Sequence, residues 1–209
     1  MHNEDKAEEA KKIIQRGAEA ILYLRDGELV KERVRKGYRI PELDVKIRKM
    51  RTRGEAKLMK RAKAGGAPVP NTRAEGDFML VMEYINGTKL KDSLSSMDKA
   101  RRNGVCGAVG EIVAKLHDAG IMHGDLTTSN MILHEGKTFL IDFGLGKFSF
   151  SVEDQAVDLF LLYEALKSTH FAVLEECWES VITAYSRHFP QAKDVLARME
   201  KIKKRRRYK

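Results

Sequence analysis

Asp125 and Asn130 stand five residues apart in HGDLTTSNMIL, His123 to Leu133, and a second aspartate, Asp142, follows in LIDFG, Leu140 to Gly144. These residue types suit phosphoryl transfer, where a protein supplies positioning, a divalent metal and a group that orients the nucleophile. Mg2+ prefers hard oxygen ligands, usually one or two carboxylates completed by phosphates and water. The Asn130 amide oxygen and the Asp142 carboxylate meet that need. Asp125 is then the catalytic residue, accepting a proton from a hydroxyl or holding an attacking water. Asp and Asn also favour turns on their own account. The joint pattern H-x-D-x-x-x-x-N with D-F-G behind it is far more specific than H-G-D alone. His123 is expected to be a packed scaffold residue rather than a catalyst.

Such a constellation needs a frame. From Lys12 to Val34 the chain is rich in β-formers and broken by Gly17 and by Asp26-Gly27. Asp-Gly between apolar runs is a hairpin signal, so three short antiparallel strands are expected. PELDVKIRKMRTRGEAKLMKRAKAGG reads as one long helix, with Leu43, Ile47, Met50, Gly54, Leu58 and Ala62 at helical spacing and Pro41 just upstream. DFMLVMEYI is an apolar strand closed by Asn86-Gly87. Val105, Val109, Ile112, Val113 and Leu116 share a helical face ahead of Gly120, a C-cap candidate. MILH and TFLID are two short strands, and the chain reads as helical from Asp154 onward. AVDLFLLYEAL is apolar nearly all round and should be buried, with Ser151 and Asp154 spaced to cap it. The expected fold is α+β: a β-rich N-lobe over 1–84, a helical C-lobe over 85–202 and a basic tail over 203–209.

With these motifs in place, the chain resembles the protein-kinase superfamily. The resemblance implies a two-lobed kinase-like fold with a small N-lobe and a reduced C-lobe, and ATP and Mg2+ as cofactors. Lys31 in ELVKERV takes the place of the family's phosphate-contacting lysine, and Glu55 in RGEAKLM that of its helix glutamate. LVMEYINGTKL resembles the hinge: Met82 at the back of the pocket, the Glu83 carbonyl and the Ile85 backbone toward adenine. Asn130 and Asp142 become the metal and ATP ligands. Asp158 in AVDLF resembles the acid that holds the catalytic-loop backbone, and a first-turn helix acid is the other reading.

Departures narrow the resemblance. QRGAEA, Gln15 to Ala20, replaces the G-x-G-x-x-G loop and leaves Gly17 alone over the phosphates. Gly124 stands where H-R-D has arginine, Thr127 replaces the catalytic-loop lysine, and no A-P-E follows D-F-G. The platform that docks a substrate peptide is therefore largely missing. GAEA, VKERVRKGYRIPELD, TRGEAKLM, GIMHGDLTTSNMIL, IDFGLGKFS and EDQAVDLFLLYEAL together resemble the small atypical kinase of the KEOPS complex, a group related to the RIO kinases. That resemblance implies a Mg-ATP-dependent kinase or ATPase supporting tRNA threonylcarbamoyladenosine modification. It also implies contact with the KEOPS threonylcarbamoyl transferase subunit and with a small KEOPS subunit on the N-lobe. A RIO-like ribosome-assembly serine/threonine kinase is the alternative. Complete Lys31, Asp125, Asn130 and Asp142 argue against a non-catalytic adaptor.

The chain has 209 residues, 43% of them hydrophobic, and a net charge of +9. That supports a packed core and favours an anionic partner. RMEKIKKRRRYK carries eight Lys or Arg against one Glu. Such a run is often a solvated tail, and in this context Lys203, Lys204, Arg205, Arg206, Arg207 and Lys209 are read as contacts to the tRNA backbone. Tyr208 stacks on a base or on nothing. The basic helix residues Lys46, Arg48, Lys49, Arg51 and Arg53 extend that surface. Cys106 and Cys177 lack metal spacing and read as buried thiols. The polar N-terminus and short apolar clusters point to a cytoplasmic protein with no membrane segment.

Overall fold

The computed structural model describes residues 12–206. The chain folds as two compact units: residues up to Ala56 with Asn71–Tyr84, and Lys57–Pro70 with the chain from Ile85 onward.

The first unit is a five-stranded antiparallel sheet ordered β1-β2-β3-β5-β4. Its strands are β1 (Lys12–Arg16), β2 (Ala20–Arg25), β3 (Glu28–Arg33), β4 (Thr72–Glu75) and β5 (Met79–Glu83). Asp26 (φ 52°) and Gly27 (φ 77°) both lie in the left-handed region, as a two-residue hairpin turn between twisted strands requires. The turn sets Arg25 opposite Glu28, and through that register Leu22 opposite Lys31. Tyr23, Val30 and Val81 form the buried apolar cluster on one face of the sheet. Lys31 and Arg33, at period two from one another, are buried with the opposite face. β4 was not anticipated, because its sequence, TRAE, has no alternation of apolar residues.

The long helix α1 (Pro41–Ala64) begins at its proline, where the missing N–H costs nothing. Its inward face differs from the apolar stripe read in the sequence. Leu43 and Met50 are exposed, at 48% and 64%, whereas Asp44, Thr52 and Glu55 are buried. The two carboxylates turn inward because cations meet them there. Asp44 accepts from Arg48 Nε at 2.7 Å and from the Lys36 backbone N–H at 3.3 Å, which ties the preceding loop to the helix. From Ala56 onward the buried side chains of α1 are apolar, namely Ala56, Leu58, Met59 and Ala62.

The second unit is mainly helical. It contains β6 (Thr88–Lys89), α2 (Leu90–Ser93), α3 (Lys99–Asp118), β7 (Ile121–Met122), β8 (Met131–His134), β9 (Lys137–Leu140), β10 (Lys147–Phe148), α4 (Val152–Thr169), α5 (Leu174–His188) and α6 (Ala192–Arg206). Asp98 caps α3 by accepting from Arg101 N at 2.9 Å, and Gly120 (φ 69°) follows its end. Ala156, Leu159, Phe160, Leu162 and Leu166 of α4 are buried, as its composition requires. Ser151 occupies the N-cap of α4 but makes no capping bond. The expected cap does not form because Asp154 is engaged by Lys147 Nζ at 2.7 Å and Ser149 Oγ at 2.6 Å. Cys106 and Cys177 are both buried free thiols.

Candidate active site

Each unit builds one cluster of the residues singled out in the sequence. In the first, Glu55 of α1 is almost fully buried and divides its two oxygens between two cations of β3. Lys31 Nζ donates to Oε1 at 2.8 Å and Arg33 Nη2 donates to Oε2 at 2.6 Å. Period two along β3 puts both cations on one face, which is why a single carboxylate can meet both. A buried ion pair is retained only when its lone pairs are satisfied, and here both oxygens are. Gly17 lies in the β1–β2 loop, its N–H bound to the Ala20 carbonyl at 2.9 Å. Two residues on, Glu19 accepts from Arg39 at 3.3 Å and from Arg51 at 2.9 Å, so that loop is tethered to α1. Met82 is buried within β5, and Glu83 ends the strand with its N–H on the Asn71 carbonyl at 2.9 Å.

In the second unit the hairpin β8–β9 does the positioning. Glu135 and Gly136 make its two-residue turn, both at positive φ, and Met131 pairs with Leu140. One step further, Ile141 N–H bonds the Asn130 carbonyl at 3.0 Å. Asn130 and Asp142, distant in sequence, therefore flank the same end of one hairpin. Asn130 Nδ2 donates to the Asp125 carbonyl at 2.9 Å and to Asp125 Oδ2 at 2.8 Å. That leaves the Asn130 amide oxygen directed away from Asp125. Asp142 holds φ 62° and accepts from Gly144 N at 3.2 Å. Ile85, where the chain returns to this unit, has its carbonyl on Gly87 N at 3.0 Å, so its N–H rather than its carbonyl is suited to a ligand.

The loop bearing Asp125 rests on buried polar side chains. Asp158 of α4 accepts the backbone N–H of His123 at 2.7 Å and of Gly124 at 2.8 Å. Of the two readings of Asp158, this geometry is that of the loop-holding acid. Burial pushes its pKa up, but the neighbouring His117 and His123 and the His123 N–H outweigh that and hold it below the usual carboxylate range. His123 is fully buried, its ring tilted at 50° against Phe143 with centroids 4.6 Å apart, Nε2 facing the Ile141 carbonyl at 3.1 Å and Nδ1 facing Asp125 N–H at 3.3 Å. Donation to a carbonyl and acceptance from an N–H assign the proton to Nε2. Both ring nitrogens are spent on scaffold bonds. Thr128 faces His170 Nε2 at 3.2 Å, and burial pushes the His170 pKa down, toward the neutral ring.

Gly124 has φ 80°, and a Cβ on it would overlap the Leu145 carbonyl oxygen. The missing arginine is thus a packing requirement: the chain after Asp142 folds straight back onto the loop. β10 pairs with β7, Lys147 opposite Met122 and Phe148 opposite Ile121, and α4 begins at Val152.

Arg33 was not singled out from sequence. The available signal was Lys31-x-Arg33 on one strand, a second cation two residues from the first. Four of the basic residues singled out on α1 are paired with acids. Arg48 pairs with Asp44, Arg51 with Glu19, and Lys49 and Arg53 with Asp77. The basic C-terminal run does not begin as an extended tail, since α6 continues to Arg206. Lys203 lies 3.9 Å from the centre of the Tyr163 ring and is only 20% exposed, whereas Lys204 and Arg205 are exposed. Arg207, Tyr208 and Lys209 lie outside the described residues. No helix among the described residues is long and apolar enough to cross a membrane.

Residues 2–146 match the RIO domain family. The chain is 43% identical to KEOPS complex subunit Bud32 of Pyrococcus abyssi, over 95% of this chain and 96% of that protein. It is 40% identical to a probable bifunctional tRNA threonylcarbamoyladenosine biosynthesis protein of Methanothermobacter thermautotrophicus, over 94% of this chain but only 36% of that protein. The corresponding protein of Methanosarcina mazei is 42% identical over 94% of this chain and 35% of its own length. Among solved structures, WaaP in complex with acyl carrier protein matches with a TM-score of 0.67 at 16% identity, covering 93% of this chain and 88% of that one. WbdD bound to a kinase inhibitor matches with a TM-score of 0.58 at 19% identity, covering 82% and 44%. These two likenesses concern the fold alone, the kinase-like α+β arrangement expected from the motifs.

Proposed function

Because the chain belongs to the RIO domain family and, within it, to the group of KEOPS complex subunit Bud32, we propose that it uses Mg-ATP to support threonylcarbamoyladenosine modification of tRNA. It is an atypical kinase of the RIO type, and proteins of that class bind a nucleotide. Lys31, oriented by Glu55, contacts the phosphates under the Gly17 loop, and the Glu83 carbonyl with the Ile85 backbone meets adenine. Asp142 and the Asn130 amide oxygen hold Mg2+, for which an amide oxygen and one carboxylate are a fitting donor set. The metal supplies charge neutralisation on the phosphates when bound. Asp125 orients the attacking hydroxyl or water and accepts its proton, and Asn130 Nδ2 keeps that carboxylate aimed.

The observation that carries this reading is the hydrogen bond from Ile141 N to Asn130 O beside the Asn130–Asp125 pair, which gathers all three chemical residues of the second unit at one hairpin end. ATP hydrolysis fits better than protein phosphorylation as the main task. The segment after Gly144 pairs at once as β10 with β7, and a peptide platform has no length of chain to form from. The proposed partners are the KEOPS threonylcarbamoyl transferase subunit, a small KEOPS subunit on the N-lobe, and tRNA through the basic end of α6, in the cytoplasm. The bifunctional relatives, of whose length this chain matches about a third, carry the same modification in their names and support the tRNA role. The test is ATP turnover by the chain alone, with the transferase subunit, and with tRNA added. Stimulation by the partner and by tRNA is expected. Turnover unchanged by both, with transfer to an added protein substrate, would favour the ribosome-assembly alternative.

A further inference from the structure

We infer that Arg33 is a positioning residue for the nucleotide, acting through Glu55 on Lys31. The inference rests on the proposed role of Lys31 at the phosphates. Three ionised groups are buried together here: Lys31 at 8% exposure, Arg33 at 5% and Glu55 at 2%. An ammonium is a point charge that accepts many orientations of a carboxylate, whereas a guanidinium holds it in a defined direction. A Glu55 bound to Lys31 alone could rotate about its terminal torsion and carry the lysine with it. Arg33 prevents this by occupying Oε2 while Lys31 occupies Oε1. Arg33 is itself fixed, since its carbonyl accepts from Arg48 Nη1 at 3.3 Å and Arg48 is held by Asp44. The chain of contacts Asp44–Arg48–Arg33–Glu55–Lys31 thus ties the start of α1 to the lysine. It keeps the lysine–glutamate pair assembled before nucleotide arrives.

The experiment measures Mg-ATP affinity and turnover of the full chain for Arg33→Met, Arg33→Lys, Glu55→Gln and the Arg33→Met/Glu55→Gln double variant, with thermal unfolding of each. Arg33→Met should weaken nucleotide affinity by roughly tenfold, the size of coupling common within one ion-pair network. Arg33→Lys should recover part of that loss. The double variant should be no worse than Glu55→Gln alone, because Arg33 acts only through that carboxylate. This non-additivity is read on affinity, which a role in stability alone would leave unchanged in the folded variants. Arg33→Lys keeps a buried charge opposite Glu55, so it tests the idea even if Arg33→Met does not fold. Unchanged affinity in folded Arg33→Met, or losses that add in the double variant, would overturn the inference. Lys31→Met, made alongside, separates the two levels. If it leaves affinity and turnover intact, the role of Lys31 itself is wrong. If it abolishes them while the Arg33 variants behave as wild type, only the inference fails.

Discussion

The two units hold their functional side chains by opposite means. In the first, Lys31 is fixed by side-chain charge: a buried glutamate shared with Arg33, on a helix whose start is bound by Asp44 to Arg48. In the second, Asp125 and Asn130 are fixed by main chain. Asp158 grips two consecutive backbone N–H groups, His123 braces the loop from beneath, and a hairpin register delivers Asp142. The difference follows from what each must present. A flexible lysine needs a partner that orients its head. Short carboxylate and amide side chains are already aimed once their backbone is rigid. It teaches that damage in the first unit should appear as lost nucleotide affinity, and damage in the second as lost rate or lost fold.

The largest effect expected from breaking the second cluster is that of Asp142→Ala. It should abolish Mg2+-dependent ATP turnover while stability falls by only about 1 kcal/mol, because Asp142 is exposed and the cost is that of alanine at its left-handed backbone. Wild-type turnover with normal metal dependence would sink its assignment as a ligand. Next is Asp125→Asn, expected to lower the rate by about 10² to 10⁴ while sparing nucleotide binding. If affinity collapses instead and the residual rate holds, Asp125 is a structural residue and the contrast between the units is lost.

Gly124→Ala sharpens the comparison on the side of stability. The left-handed backbone and the overlap with the Leu145 carbonyl should together cost on the order of 2 kcal/mol or more, read as a lower midpoint of denaturation. A neutral result would mean that the chain after Asp142 moves away freely. Asp158→Asn should cost about 1–3 kcal/mol at neutral pH, since it weakens an acceptor of two buried N–H groups. Its pH dependence has a definite sign. The native carboxyl lies below the ordinary range, so its contribution is present above the unfolded pKa and is lost as pH falls through the native one. The variant should therefore show a flatter acid limb of stability than wild type, and an equally steep limb would assign that dependence elsewhere.

The smallest effect is expected at the basic end. Removing 204–209 keeps the Lys203–Tyr163 contact and should leave basal ATP hydrolysis nearly unchanged. Binding of tRNA by the assembled complex should weaken similarly for all tRNA sequences. The salt slope should fall by roughly one unit per lost phosphate contact. Identical affinity and slope would remove tRNA from the role of this segment.

By itself the sequence determined the parts governed by local rules. Asp26-Gly27 specified a hairpin turn because few residues accept its backbone angles, and Pro41 marked the helix start. The spacing of Asp125, Asn130 and Asp142 named the chemistry because so few residue types can hold a metal or accept a proton. Lys31 and Glu55 were named by resemblance, and their contact required the fold. Tertiary structure alone decided the rest. It turned Glu55 inward while Leu43 and Met50 of the expected apolar stripe stayed exposed, since burial of that carboxylate depends on the two cations that β3 brings to it. It revealed Arg33, whose neighbour in space is 22 residues away in the chain. It also made Gly124 obligatory through the Leu145 carbonyl, a contact that no periodicity or spacing can encode.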